Sequence, residues 1–135
     1  AQYVSLEKIV EDQKEGYYIA LRTSQKNRGT KTPNITPWIE FFLERMRHEK
    51  NKRAEFICVL AFIDESGTEH LFEGRCKGVI TDALEAEYLP GLPISACFKP
   101  DGYKAVYSAM KLEQKNSASH RGKALLALKE FLASR

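Results

Sequence analysis

The chain has 135 residues, 43% hydrophobic and 29% charged, with 21 Lys and Arg against 18 Asp and Glu for a net charge of +3. That is one ordinary domain's worth of chain, able to remove roughly two-thirds of its unfolded surface from water. The composition excludes a mostly disordered, collagen-like or disulfide-scaffold chain, the longest apolar run (Phe56 to Ile63) is far short of the roughly 20 residues of a bilayer span, and so small a charge surplus names no partner.

The opening residues Ala1-Gln2-Tyr3-Val4 lack the basic start, apolar stretch and cleavage site of a secretory signal. Cys58, Cys76 and Cys97 are odd in number and widely spaced. They read as buried reduced thiols, and the chain as soluble and cytoplasmic.

Ser5 is positioned to cap a helix whose apolar positions Leu6, Ile9, Val10, Tyr17, Ala20 and Leu21 recur near the helical period, with Gly16 weakening it without breaking it. Thr23 to Asn34, with Lys26, Asn27, Arg28, Gly29, Lys31 and Pro33, reads as a polar loop. Thr36-Pro37 is a cap followed by proline at the first helical position. The helix it opens runs through Trp38, Phe41, Phe42 and Met46 and frays near Lys50.

The pattern changes at His48 to Arg53. Glu55 to Ile63 is aromatic and β-branched, Asp64-Glu65-Ser66-Gly67 is a turn, and Thr68 to Ile80 resumes in extended character, giving a β-hairpin bulged or bent at Gly74 and Gly78. Asp82 to Tyr88 is expected to make one or two helical turns, broken by Pro90-Gly91-Leu92-Pro93. Ile94 to Phe98 reads as a buried strand and Pro100-Asp101-Gly102 as a turn. A short helix over Tyr103 to Lys111 and a long one over Ser117 to Ser134, with Leu125, Leu128 and Leu132 on its inner stripe, complete the chain. No internal repeat is seen.

The stretch richest in chemistry is Lys115-Asn116-Ser117-Ala118-Ser119-His120-Arg121-Gly122. It gathers an ammonium, a hydroxyl, an imidazole and a guanidinium around a helix start, where backbone N–H groups already favour an anion. A guanidinium offers a planar fork to phosphate oxygens or purine acceptor edges. As bare chemistry the same residues also fit a solvated helix end.

From Glu55 onward the chain resembles the C-terminal half of the inosine triphosphate pyrophosphatase family, enzymes that hydrolyse non-canonical purine nucleoside triphosphates. The resemblance (residues 55–135) rests on Phe56-Ile57-Cys58-Val59-Leu60-Ala61, Phe72-Glu73-Gly74-Arg75-Cys76-Lys77-Gly78, Phe98-Lys99-Pro100-Asp101-Gly102-Tyr103, and Lys115-Asn116 followed by Ser119-His120-Arg121. It implies a purine nucleoside triphosphate pocket in which Lys115 reaches the phosphates while Ser119, His120 and Arg121 address the base. Donors such as Arg121 and a protonated or suitably tautomeric His120 would prefer the six-oxo acceptor of hypoxanthine or xanthine to the amino group of adenine. Leu92 stands where the family has a base-stacking aromatic and Ser95 where it has a carboxylate. The resemblance implies Mg²⁺ as well, but neither the family's Ser/Thr-Gly-Asn…Lys triphosphate loop nor its acidic metal ligands are found in these residues.

Residues 1–47 resemble instead the final helices of a Fic domain. The resemblance is carried by Gln2-Tyr3-Val4-Ser5-Leu6-Glu7-Lys8-Ile9, Gly16-Tyr17-Tyr18-Ile19-Ala20-Leu21, Ser24-Gln25 and Ile35-Thr36-Pro37-Trp38-Ile39-Glu40-Phe41-Phe42-Leu43. The Fic catalytic motif His-Pro-Phe-x-x-Gly-Asn-Gly-Arg is absent, so no catalytic residue carries over and the aromatic positions default to core packing.

The expectation is therefore an α/β or α+β fold: an N-terminal helical pair (1–50), then a pyrophosphatase-like hairpin, strand and C-terminal helix (51–135), with the second helix covering the hairpin sheet. The expected function is to hydrolyse or bind purine nucleoside triphosphates. The rivals are a non-catalytic interaction or nucleotide-binding module, acting as a homodimer or with a complementing chain, and a remnant or partner of a Fic-type AMP transferase. Arg45, Arg47, Lys50, Lys52 and Arg53 read as a solvated helix end rather than a nucleic-acid surface. His48, His70 and His120 are too scattered for structural zinc, and Asp64, Glu65 and Glu69 read as solubilising, with a weak Mg²⁺ site as the alternative.

Overall fold

The computed structural model describes residues 6–30 and 33–135; the expected cap Ser5, the loop residue Lys31 and the start of the Fic-like stretch lie outside them. The expected first helix is two, α1 (Leu6–Asp12) and α2 (Lys14–Gln25), divided at Gln13, whose φ of −137° and ψ of 41° leave the helical region. Gly16 lies within α2 for a packing reason: a Cβ there would stand 3.2 Å from the Phe41 ring of α3 (Thr36–Met46). α2 also runs on into the expected loop as far as Gln25, with the Thr23 hydroxyl donating to the Ile19 carbonyl at 2.8 Å.

α3 begins as the sequence suggests, but Thr36 does not cap it. Asn34 Oδ1 accepts the Thr36 N–H at 3.0 Å, and the Trp38 N–H is shared between Ser24 Oγ and the Ile35 carbonyl, each at 3.1 Å. The buried stripe is Ile39, Leu43 and Met46. Trp38 and Phe42, stacked with ring centroids 5.9 Å apart, flank it, and Phe41 turns toward Tyr17 of α2.

β1 (Arg53–Ile63) and β2 (Glu69–Ile80) pair antiparallel from Arg53↔Val79 to Ile63↔Glu69 without a slipped residue, and β3 (Phe98–Pro100) adds to β2 in the order β1-β2-β3. The bulge expected at the glycines is absent. Gly74 and Gly78 serve a different purpose: a Cβ on Gly74 would overlap the His120 carbonyl and stand 2.6 Å from Ala124 N, and one on Gly78 would meet the Phe98 ring at 2.7 Å. Both are places where another backbone or ring lies directly on the strand.

The segment Asp82 to Tyr88 is not helical, and Ile94 to Phe98 is not one strand. Their polar groups bond across to each other instead: Glu85 N–H to Ala96 C=O at 2.9 Å and Thr81 N–H to Cys97 C=O at 2.8 Å. Pro93–Ala96 forms a short 3₁₀ turn, and β3 starts only at Phe98. Gly102, at φ 83°, takes the left-handed position of the Pro100 turn, closed by Tyr103 N–H to Pro100 C=O at 3.2 Å. In place of a helix over Tyr103 to Lys111 there is a single 3₁₀ turn, Tyr107–Ala109.

The long C-terminal helix is likewise two, α4 (Leu112–Ala118) and α5 (His120–Ala133). The inner face of α5 carries His120, Ala124 and Phe131, whereas Leu125 and Leu132, expected inside, are 59% and 46% exposed. The reason is the approach to Gly74, which only the small Ala124 allows. Phe131 packs against Phe62, His70 and Phe72 at 6.2, 4.5 and 5.3 Å.

One apolar core holds Ile39, Leu43 and Met46 of α3 together with Ile80, Cys97, Phe98, Tyr107 and Met110, so the helical segment and the sheet segment are buried against each other. Each fully enclosed side chain such as Phe98 or Ile39 contributes about 1.5–3 kcal/mol. All three cysteines are free, and burial raises Cys97 to about 11. The outer face of the hairpin leaves Ile57, Val59, Ile63 and Leu71 exposed.

Gly74→Ala is expected to destabilise by about 3 kcal/mol, the upper range for overpacking against groups that cannot yield. Gly67→Ala, at φ 81° in open space, should cost only about 1 kcal/mol of backbone strain. Urea denaturation of both checks the ranking, and equal losses would show that α5 gives way.

Candidate functional site

Ser119 makes the joint between α4 and α5. Its backbone (φ −59°, ψ 125°) is not helical; its N–H closes α4 on the Lys115 carbonyl at 2.8 Å, and its Oγ accepts the Gly122 N–H at 3.1 Å to cap α5. The stretch read as one helix start is thus one helix ending and another beginning on the same serine. Lys115 is half-buried one turn before the joint and Arg121 is exposed just after it. Neither forms an ion pair among the described residues, although Arg47, Lys52, Arg53 and Arg75 all do.

His120 is 6% exposed, with its ring 5.2 Å from Phe56 and its Nδ1 enclosed without a hydrogen-bond partner in the protein. Burial first, and the neighbouring Arg121 charge second, hold its pKa below the ordinary imidazole value. The protonated His120 allowed for by the sequence is therefore disfavoured, and its donor is set by the tautomer of a neutral ring.

The structure brings Lys115, Ser119, His120 and Arg121 together at the joint. Of the other two candidates, Ser95 is fully buried with its Oγ accepting the Leu89 N–H at 2.9 Å, and Leu92 packs against the core. Both residues thus help to hold their own loop.

Among the described residues no three His, Cys, Asp or Glu side chains gather to hold a metal ion. At the acidic hairpin turn Glu65 and Glu69 are exposed, as a solubilising role requires, whereas Asp64 is taken up by its neighbours. Asp64 accepts from the Ser66 and Thr68 N–H groups at 2.9 and 3.0 Å, from Ser66 Oγ at 2.5 Å and Arg135 at 2.6 Å, and pairs with His70 at 2.9 Å. The Ser66 bond above all, then His70 and Arg135, holds its carboxyl well below the usual range. The sequence signal was there in the Asp-x-Ser-x-Thr spacing of an Asx turn, but the partners His70 and Arg135 come from tertiary structure. The basic stretch after α3 is also engaged: Lys52 with Asp82, Arg47 with Glu44, and Arg53 in a two-pronged bond to Asp101 at 2.7 and 2.6 Å.

The sequence model of the Ham1 family matches residues 12–131. The chain belongs to the Ham1 family. Over 93 residues it is 37% identical to the dITP/XTP pyrophosphatase of Leptospira interrogans, covering 69% of this chain and 47% of that protein. Over 105 residues it is 36% identical to the inosine triphosphate pyrophosphatase of Candida glabrata, covering 70% and 53%. The solved Staphylococcus aureus Ham1 protein superposes with a TM-score of 0.66 at 25% identity over 78% of this chain and 54% of that one. The chain spans about half the length of the curated relatives it matches. Because the family match starts at residue 12, α2 and α3 fall within the Ham1 span, and the Fic reading of residues 1–47 is not supported. The family span is also wider than the stretch 55–135 that resembled it in sequence. Among the described residues no helix is long and apolar enough to cross a membrane.

In an NMR titration the His120 imidazole should show its midpoint below 6.5. Arg121→Gln should move it partway up, since burial is the larger cause; a midpoint above 6.5 would contradict the burial.

Proposed function

We propose that this chain binds purine nucleoside triphosphates at the α4–α5 joint, as part of a cytoplasmic protein of the nucleoside-triphosphate pyrophosphatase type. The observation that carries the reading is a pair of cations, Lys115 and Arg121, left without carboxylate partners among the described residues on either side of a serine-fixed joint, in a Ham1-family chain. Lys115 takes the phosphates and Arg121 the base. Ser119 Oγ already accepts from Gly122, so its own proton remains to be donated. His120 offers a neutral ring edge. These donors favour six-oxo purines over adenine.

All four residues lie in 51–135, and the 1–50 segment supplies the apolar cover. Leu92 and Ser95 contribute through the loop they shape. Hydrolysis to the monophosphate and pyrophosphate with Mg²⁺ belongs to the proposal for the protein as a whole, because the described residues do not assemble a set of metal ligands.

Thermal-shift titration with ITP, XTP, GTP and ATP, each with and without Mg²⁺, tests this, followed by pyrophosphate release from any ligand that binds. A ligand at 100 times its Kd stabilises by about 2.7 kcal/mol. ITP and XTP should exceed ATP, and Lys115→Ala and Arg121→Ala should abolish the shift. Equal shifts for all four, unchanged in the variants, would refute the assignment.

The partner we propose is a second copy of the chain, meeting along β1. Among the described residues β1 has β2 on one edge and no strand on the other, and Ile57, Val59 and Ile63 are exposed. Antiparallel pairing of two copies about Val59 sets Arg53 of one beside Glu65 of the other. Light scattering should report a dimer that Val59→Lys dissociates, because two ammonium groups would then face each other at the axis. A wild-type monomer at every concentration would exclude it.

A further inference from the structure

β3 pairs with β2 only from Gly78 to Ile80, so the edge of β2 at Arg75, Cys76 and Lys77 has no strand beside it. A cavity of about 410 Å³ opens there, lined by that edge with Asp101, Tyr103, Ser117, Ala118 and Lys123. Lys123 reaches across from α5, and its Nζ donates to the Arg75 carbonyl at 2.8 Å, which leaves two of its three N–H donors unspent on that bond.

The charges around the cavity do not cancel. Arg75 is neutralised by Glu73 at 2.5 Å and Glu55 at 3.0 Å, and Asp101 by the two-pronged bond from Arg53. Lys77 and Lys123 form no ion pair among the described residues, and with Arg75 set against Glu55 and Glu73 and Arg53 against Asp101 the group as a whole keeps one positive charge in excess. The Lys123 charge is close enough to act on the enclosed Cys76 thiol, which burial keeps protonated. Ser117 spends its proton on the Glu113 carbonyl at 2.7 Å, which leaves the Tyr103 hydroxyl as the neutral donor of the lining. Two ammonium groups and a phenol around a cavity of this size make the chemistry of a tetrahedral oxyanion, which accepts several charge-assisted hydrogen bonds at once.

We propose that this cavity binds a phosphoryl anion, held by Lys77, Lys123 and Tyr103. It shares no lining residue with the Lys115, Ser119, His120 and Arg121 joint, so it stands or falls separately from the nucleotide reading. Free orthophosphate, pyrophosphate and the phosphate chain of a nucleotide present the same chemistry.

The test is a thermal-shift titration with orthophosphate and with pyrophosphate at constant ionic strength set by potassium chloride, on the wild type, Lys77→Gln, Tyr103→Phe and Arg121→Ala. Lys77→Gln leaves the Lys123 tie to Arg75 intact and so should fold. Phosphate should raise the melting temperature of the wild type and of Arg121→Ala alike, and Lys77→Gln should raise the half-saturating concentration about tenfold, as expected for one lost charge-assisted bond. No rise, or a rise unchanged in both Lys77→Gln and Tyr103→Phe, overturns the proposal. A rise that Arg121→Ala removes and Lys77→Gln keeps would place the anion at the joint and overturn it equally.

Discussion

The close approach of α5 to Gly74 is the contact on which the rest of the structure depends. Because the His120 carbonyl rests on a strand position without a Cβ, the first turn of α5 lies nearer the sheet than ordinary side chains would allow. Three consequences follow from that single proximity. Ala124 has to be small, His120 has to lie inward against Phe56, and Leu125 and Leu132 are rotated out to solvent. The same contact fixes Ser119 and therefore the angle at which α4 meets α5, so the position of both Lys115 and Arg121 is inherited from a glycine in β2.

The hairpin is secured at its two ends by different means. At the turn, Asp64 gathers Ser66, Thr68, His70 and the C-terminal Arg135, tying the tip of β1 to the end of α5. At the open end, Arg53 holds Asp101 and Lys52 holds Asp82, fixing the loops after β2 and β3. Between those ties the apolar inner face does the stabilising, because exposed ion pairs contribute at most about 1 kcal/mol each. The ion pairs set where the chain turns, and the burial sets how firmly it stays there.

The hairpin, its turn, the proline-led helix and the Ser119-His120-Arg121 stretch could be read from the sequence because each is a local pattern: period two, an Asx turn, a cap with proline, a motif. What misled was non-local. Leu125, Leu128 and Leu132 have faultless helical spacing, yet the inward face is chosen by Gly74, far away in the chain. Asp82 to Tyr88 looks helical by composition, but its backbone finds a partner at Ala96, from Glu85, and the Leu89 N–H that follows it finds Ser95. Gly74 and Gly78 were read as bulges because a glycine within a strand signals either a bulge or a close neighbour, and only the fold distinguishes the two. The Thr-Pro-Trp-x-x-Phe-Phe run suggested a Fic helix because amphipathic aromatic helices look alike; the family match from residue 12 shows where that run belongs.

The joint and the edge cavity show how one packing decision creates two chemical environments. Ser119 ends α4 and turns the chain, so Arg121 projects to one side of α5 while Lys123, two residues on, reaches past β2 to the Arg75 carbonyl. His120 lies between them, enclosed and neutral, and contributes shape and one ring edge rather than charge. Positive charge is thus kept at the surface on both sides of an uncharged, tightly packed histidine. Had His120 been exposed and protonated, three adjacent cations would repel across a single helical turn. Burying it removes that repulsion and lets two separate patches of positive charge sit on the same helix end.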